Sequence, residues 1–184
     1  MIWKFELKRS LKIAISFTIG MLLALILGMI LYKLSYYDQN NYFNFIDKLP
    51  IFIINGLGIK TDSNYSLYDF YAILTNFILI IAALYAIFLG FFEIQRDKKD
   101  DAERFYYKKP INKASIIKQK IFAGLILLLS TVLIYHLCAS LIIVIIKEKY
   151  YFKMMFFIDS SIFLLELVFF LFGILIGLFV NKKR

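Results

Sequence analysis

The chain has 184 residues, 61% of them hydrophobic and 18% aromatic, with a mean hydropathy of +0.75. Soluble domains are nearer half apolar, and four charge-poor segments here are long enough to cross a bilayer, so a single soluble core is excluded. The net charge of +9 sits mostly at the edges of those segments, where membrane topology explains it, and nucleic acid is not expected as a partner.

The chain opens with MIWKFELKRSLK. Trp3, Leu7 and Leu11 recur every four residues, as do Lys4, Lys8 and Lys12. On a helix this sets an apolar stripe beside a cationic one, which predicts a separate helix over residues 1–12 lying in the membrane interface. A charged start followed by an apolar run resembles a signal peptide. The run is too long and no A-x-A pattern follows it, so it reads as a retained anchor.

Residues 13–32 form the first span, free of charge and ~30 Å long as a helix. Gly20 and Gly28 lie eight apart on roughly one face. Residues 33–69 are expected outside the cell. Tyr36, Tyr37, Tyr42, Phe43 and Phe45 make an interfacial aromatic cluster there. LPIFIINGLGI over 49–59 is too short to span and is broken by Pro50, Gly56 and Gly58, which suits an interfacial or re-entrant helix.

The second span covers 70–92, with Asn76 as its most polar side chain, able to bond across helices. The third covers 121–146 and carries Ser130, Thr131, His136 and Cys138. The fourth covers 154–180 and carries Asp159 and Glu166. The predicted fold class is therefore all-α, a polytopic membrane protein of four spans. Of the 22 Lys and Arg residues, sixteen fall in segments 1–12, 92–120 and 181–184. That excess places those segments and both termini in the cytoplasm, with the plasma membrane as the expected location.

Residues 92–120, FEIQRDKKDDAERFYYKKPINKASIIKQK, are the longest polar run. Pro110 should end the helix before it, and Asn112 can cap the next, giving a helix–break–helix on the cytoplasmic surface. No P-loop, H-E-x-x-H or G-x-S-x-G occurs, and the single Cys and single His offer neither a disulfide framework nor a metal cluster. No catalytic residue and no cofactor are expected in this chain.

The polar run resembles the ABC-2 family of ABC transporter permeases. That family carries an acid, Gly-Thr, an apolar stretch, Pro-x-Ser-Arg and a Lys seven residues later. Here the corresponding residues are Asp97, Asp101-Ala102, Phe105 to Tyr107, Pro110-Ile111-Asn112-Lys113 and Lys120. The spacing fits, although Asp-Ala stands for Gly-Thr and Asn-Lys for Ser-Arg, and the family has six spans. YAIFLG over 85–90, the segment 4–10 and Leu49-Pro50 are similar to other parts of the family pattern. The resemblance implies a permease subunit that pairs with a cytoplasmic ATPase, which binds the ATP and Mg, and with a second membrane subunit. It implies docking of the ATPase through Asp97, Arg104, Phe105, Tyr106, Tyr107, Lys108, Lys109, Pro110 and Lys113, the aromatics as anchors and the cations as rim. A small four-helix accessory or immunity protein is the alternative. A membrane-embedded enzyme would have only Glu166, His136 and Asp159 to work with.

Two further expectations concern the spans. Gly173 and Gly177 form a G-x-x-x-G face, which predicts close packing against a second membrane subunit. Glu166 lies near the middle of its span, where a carboxylate seldom faces lipid. Three readings are open for it: protonated and bonded within the bundle, paired with His136, or lining a polar path. Tyr135 is an alternative partner.

Overall fold

The computed structural model describes residues 2–36, 67–99, 113–146, 149 and 151–180. They form four α-helices: α1 (Ile2–Tyr36), α2 (Leu67–Lys99), α3 (Lys113–Ile146) and α4 (Phe152–Phe179). Each contains a segment long and apolar enough to cross a membrane. At 28 to 35 residues they measure about 42–52 Å by helical rise, well beyond a ~30 Å hydrocarbon layer. The two prolines, Pro50 and Pro110, fall between these helices, so no ladder of backbone hydrogen bonds is interrupted. In lipid that ladder must close within each helix, which outweighs the modest helix propensity of the many Phe, Ile and Val residues.

The separate interfacial helix expected over 1–12 is not present. Residues 2–36 run as one helix, and Glu6, Ser10 and Ala14 continue the buried stripe of Met21, Leu25 and Met29. An acid in that register finds partners on other helices, so the first turns belong to the bundle. The expected spans are otherwise found in extended form, with α2 and α3 reaching eight residues into each side of the polar run. α3 begins at Lys113, directly after the expected cap residue Asn112. Residues 37–66, including the 49–59 segment, and residues 100–112 lie outside the described residues.

α2 packs most extensively on α4, α1 lies along both α3 and α2, α3 touches α4 over a shorter length, and α2 and α3 face each other across the diagonal. The order around the bundle is α1, α2, α4, α3. α2 and α4 run parallel, since Tyr71 meets Asp159 near their starts and Gln95 meets Gly177 and Val180 near their ends. The starts of α1 and α3 join this second end, where Lys120 contacts Glu6 and Glu93. Because exposed Lys4, Lys8, Lys12 and Lys118 gather there too, it is called the basic end below, and the other is the turn end.

Helix association in lipid has little hydrophobic drive, so close backbone approach and interhelical polar contacts must hold the bundle. Both are present. On α2 and α4 the glycines stand where a Cβ would strike backbone: Gly90 against the Phe170 carbonyl, Gly173 against the Ile87 carbonyl. A Cβ on Gly177 would lie 3.0 Å from Ile94 Cβ and 3.2 Å from the Phe91 carbonyl. The G-x-x-x-G face therefore packs inside this chain, against α2, and not against a second subunit as expected from sequence. Gly124 of α3 receives the Phe170 ring and Gly28 the Leu74 side chain, whereas nothing approaches Gly20. The outward surface is apolar, with Leu23, Leu27, Ile80, Leu84, Leu137, Leu141, Leu164 and Phe172 all about half exposed or more, as a lipid-facing surface requires. Asn76 is exposed on this side. Its neighbour Thr75 is the buried polar residue, and it bonds its own helix at the Tyr71 carbonyl, 2.8 Å away.

Candidate functional site

The polar side chains inside the bundle fall into three layers. The layer near the turn end joins three helices. Tyr71 of α2 donates to Asp159 Oδ1 of α4 at 2.6 Å, and His136 Nδ1 of α3 lies 2.5 Å from Asp159 Oδ2. With Asp159 ionised, Nδ1–H is the donor and a neutral ring keeps Nε2 as an acceptor. Tyr71 and Asp159 are buried, and His136 is 16% exposed at its side chain, with Phe152 edge-on to its ring. Beside them, Tyr68 donates to the Lys149 carbonyl at 2.5 Å and accepts from the Tyr151 N–H at 2.9 Å. One tyrosine of α2 thus fixes the connection between α3 and α4.

The middle layer is Glu166. Its stripe on α4 runs Met155, Asp159, Ile162, Glu166, Phe170, Gly173, Gly177, spaced three and four so that every member faces the bundle. Glu166 is 0% exposed, and neither carboxyl oxygen has a hydrogen-bond partner among the described residues. Tyr85 of α2 and Tyr135 of α3 likewise bury hydroxyls that have no partner by distance and angle among the described residues. Native interiors hold few such groups, and each calls for an explanation.

The layer at the basic end is the most extensive. Lys120 Nζ of α3 donates to Glu6 Oε1 of α1 at 3.0 Å and to the Glu93 carbonyl of α2 at 2.6 Å. Ser10 donates to Glu93 Oε1 at 2.5 Å, and Arg96 Nη1 donates to Ser10 Oγ at 3.1 Å. Arg9 Nη1 adds a weaker contact to Glu6 Oε2 at 3.6 Å. Gln95 Nε2 donates to the carbonyls of Gly177 at 2.8 Å and Val180 at 2.6 Å, which caps the last turn of α4 in trans. Glu6, Ser10, Glu93 and Lys120 are each no more than 3% exposed. Four helix ends are thereby tied together.

These contacts settle which sequence candidates meet. His136 pairs with Asp159, not with Glu166. Gly173 and Gly177 line the α2–α4 seam. Asp97 and Lys113 lie within the polar run, on the helical ends of α2 and α3 that enter it. Arg104, Phe105, Tyr106, Tyr107, Lys108, Lys109 and Pro110 lie outside the described residues. The basic-end cluster was not anticipated, and one signal pointed to it: Glu6 and Ser10 continue the stripe of Ala14, Met21 and Leu25, while Glu93 continues that of Ala82, Ala86 and Leu89.

Chemically, the layers offer hydrogen bonds, ion pairs and proton-bearing groups, and no activated nucleophile. Ser130, Thr131, Ser140, Ser160 and Ser161 all return their hydroxyls to carbonyls three or four residues back, a local bond that spends them. Among the described residues no group of three His, Cys, Asp or Glu is placed to hold a metal. Searches of protein-family models, of curated proteins and of solved structures returned no match to the chain.

Proposed function

We propose that the chain is a membrane-spanning permease subunit of an ABC transporter, working with a separate cytoplasmic ATPase and a second membrane subunit. The observation that carries this reading is at the basic end. α2 continues to Lys99 and α3 starts at Lys113, so two helical arms leave the bundle on either side of the segment with the permease-like spacing. Lys120 binds the Glu93 carbonyl across these arms, while Glu6 ties α3 to α1 and Ser10 ties α2 to α1. A push on the docking segment would therefore pass to α1, α2 and α3 as one body, the rigid-body movement by which ATP-driven closure reaches spans. In this reading the basic end faces the cytoplasm, and the substrate moves outward along a surface shared with the second membrane subunit.

The experiment is purification of the tagged chain from its native membrane, with and without Phe105, Tyr106 and Tyr107 all replaced by Ala. An ATP-binding subunit should accompany the wild-type chain and be lost from the triple variant, while the variant keeps its helical content. Anchors of this type often cost more than ~1 kcal/mol each on truncation. Full recovery of the ATPase with the triple variant would place docking elsewhere.

One observation favours a second reading, a four-helix accessory protein that binds another membrane complex and transports nothing. The bundle centre is filled by Tyr71, Tyr85, Tyr135 and Phe170, each 0% exposed, so these four helices enclose no channel at that level. Recovery of a membrane complex without an ATP-binding subunit would support it.

A further inference from the structure

Asn76 is a polar side chain that the bundle leaves outside. It is exposed on the lipid side of α2, and no hydrogen bond to a described residue engages its amide. The charge-free run of α2 extends from residue 70 to residue 92. Asn76 therefore lies ~7.5 Å from the middle of that run by helical rise, too deep in a ~30 Å hydrocarbon layer for so short a side chain to reach the headgroups. A carboxamide carries two N–H donors and a carbonyl acceptor, and leaving all three in lipid is costly. Hydroxyl groups on the same outward surface avoid that cost in other ways. Ser160 and Ser161 bond carbonyls of their own helix, and exposed Ser16 lies close to the basic end of its charge-free run, near the headgroups. Asn76 has neither recourse.

The face around Asn76 has the spacing of a helix seam. Ile73, Asn76, Ile80 and Ala83 stand three and four residues apart, so they share one side of α2. Ile80 is 61% exposed, and Ile73 and Ala83 are partly so. This spacing suits two helices crossing at a shallow angle, and the small Ala83 lets the backbones approach. One turn further along, the same side is already covered, because Ile87 packs on Gly173 of α4. The open seam is thus confined to the turn-end half of α2. We propose that α2 of a second copy of this chain closes it, with the two Asn76 side chains bonded to each other across a two-fold axis along the membrane normal. Two copies inserted by the same topological signals share one orientation. Their α2 helices then run parallel, and a residue on the axis meets its own counterpart. A residue that pairs with itself needs both a donor and an acceptor. Asn supplies both, each amide N–H donating to the other's carbonyl oxygen, which gives two reciprocal bonds. A lone Asn in an apolar seam also fixes the register of the two helices. The second copy would serve as the second membrane subunit of the permease reading, but the inference rests on Asn76 and not on that reading.

Disulfide trapping of the full chain in its native membrane tests it, in a Cys138→Ala background with Asn76 intact. Ile80→Cys should give a cross-linked dimer of the chain on oxidation. Leu164→Cys, on the lipid-facing side of α4, should not. Energy transfer between full chains labelled through Lys118→Cys in liposomes, followed as lipid is added, then measures the dimer. Two interhelical bonds of ordinary strength in lipid amount to roughly a tenfold change in affinity. Asn76→Leu should therefore shift the midpoint about tenfold toward monomer, and Asn76→Gln, which keeps the donors and the acceptor, should shift it far less. The proposal is overturned if Ile80→Cys forms no self cross-link, if it links only to a different membrane protein, or if Leu164→Cys links as readily. An Asn76→Leu chain that dimerises as tightly as wild type would equally overturn it, since the seam would then not depend on the amide. Should Asn76→Leu fail to insert, the cross-link from Ile80→Cys, made with the native Asn76, still decides. A chain with no self cross-link that still co-purifies with an ATP-binding subunit would sink this inference and leave the permease reading standing.

Discussion

Replacing Lys120 with Met tests whether the basic-end cluster holds the bundle together. The side chain is 3% exposed and its amine makes two contacts, 3.0 Å to Glu6 Oε1 and 2.6 Å to the Glu93 carbonyl. Hydrogen bonds involving a charged group are worth about 1.5–3 kcal/mol each. Removing one partner of a buried ion pair leaves the other charge stranded, and such variants lose about 3–5 kcal/mol. The two routes agree on a loss near 4 kcal/mol. Among the described residues Glu6 would then keep only the 3.6 Å contact from Arg9. Replacing both members, Glu6→Gln with Lys120→Met, removes the stranded charge and should recover at least half of the loss. Reversible unfolding of the four variants of this cycle in mixed micelles measures both numbers. A Lys120→Met protein within about 0.5 kcal/mol of wild type, the scale of an ordinary surface substitution, would refute the reasoning. A double variant no better than the single one would show that the loss comes from the Glu93 carbonyl and not from charge.

The other predictions address the seam, the turn-end layer and the topology. Gly173→Leu should prevent α2 and α4 from closing, because even a Cβ there strikes the Ile87 backbone; Gly20→Leu, with nothing nearby, should be silent in the same unfolding assay. Tyr71→Phe removes a donor to a buried acid and should lower stability by about 1.5–3 kcal/mol, while the His136–Asp159 contact survives as a perturbed imidazole resonance in nuclear magnetic resonance spectra. Cysteines placed at Lys118 and at Tyr151, in a Cys138→Ala background, sit on exposed positions at opposite ends of the bundle. An impermeant thiol reagent on intact cells should label residue 151 and spare residue 118, and the reverse pattern would invert the topology.

The helices were legible because charge-free runs longer than a bilayer have few other fates. Their ends were not, because Glu6, Glu93 and Lys120 look like the polar flanks that stop a span. They extend the helices instead, held by one ion pair and by hydrogen bonds across separations of 27 to 114 residues, which no local pattern reveals. The partner of His136 was within reach of arithmetic. In an antiparallel hairpin turning near residue 147, residues 136 and 159 are equidistant from the turn, whereas Glu166 lies two helical turns deeper. The G-x-x-x-G face was legible as a close-packing surface, but a motif names no partner. Only the parallel run of α2 and α4, with Gly90 opposite Phe170, shows that the partner is in the same chain.

The α2–α4 seam also constrains biogenesis. Of the four helices described, α4 leaves the ribosome after the other three, and it brings Asp159 and Glu166 into lipid together. An acid at a span centre, as Glu166 is, costs about 2.5–3.5 kcal/mol on insertion scales and one nearer an end, as Asp159 is, costs less, a demand that the dense Leu, Ile and Phe content of α4 meets largely by itself. Its register is then chosen by what is already waiting: Tyr71 one end along and Gly90 the other, on a helix whose contacting residues were made 82 to 88 residues earlier. Until α4 arrives, α2 exposes a glycine groove and a tyrosine hydroxyl to the bilayer. A chain truncated before Phe152 should therefore be recognised by membrane quality control as an unfinished protein, although three of its four spans are in place.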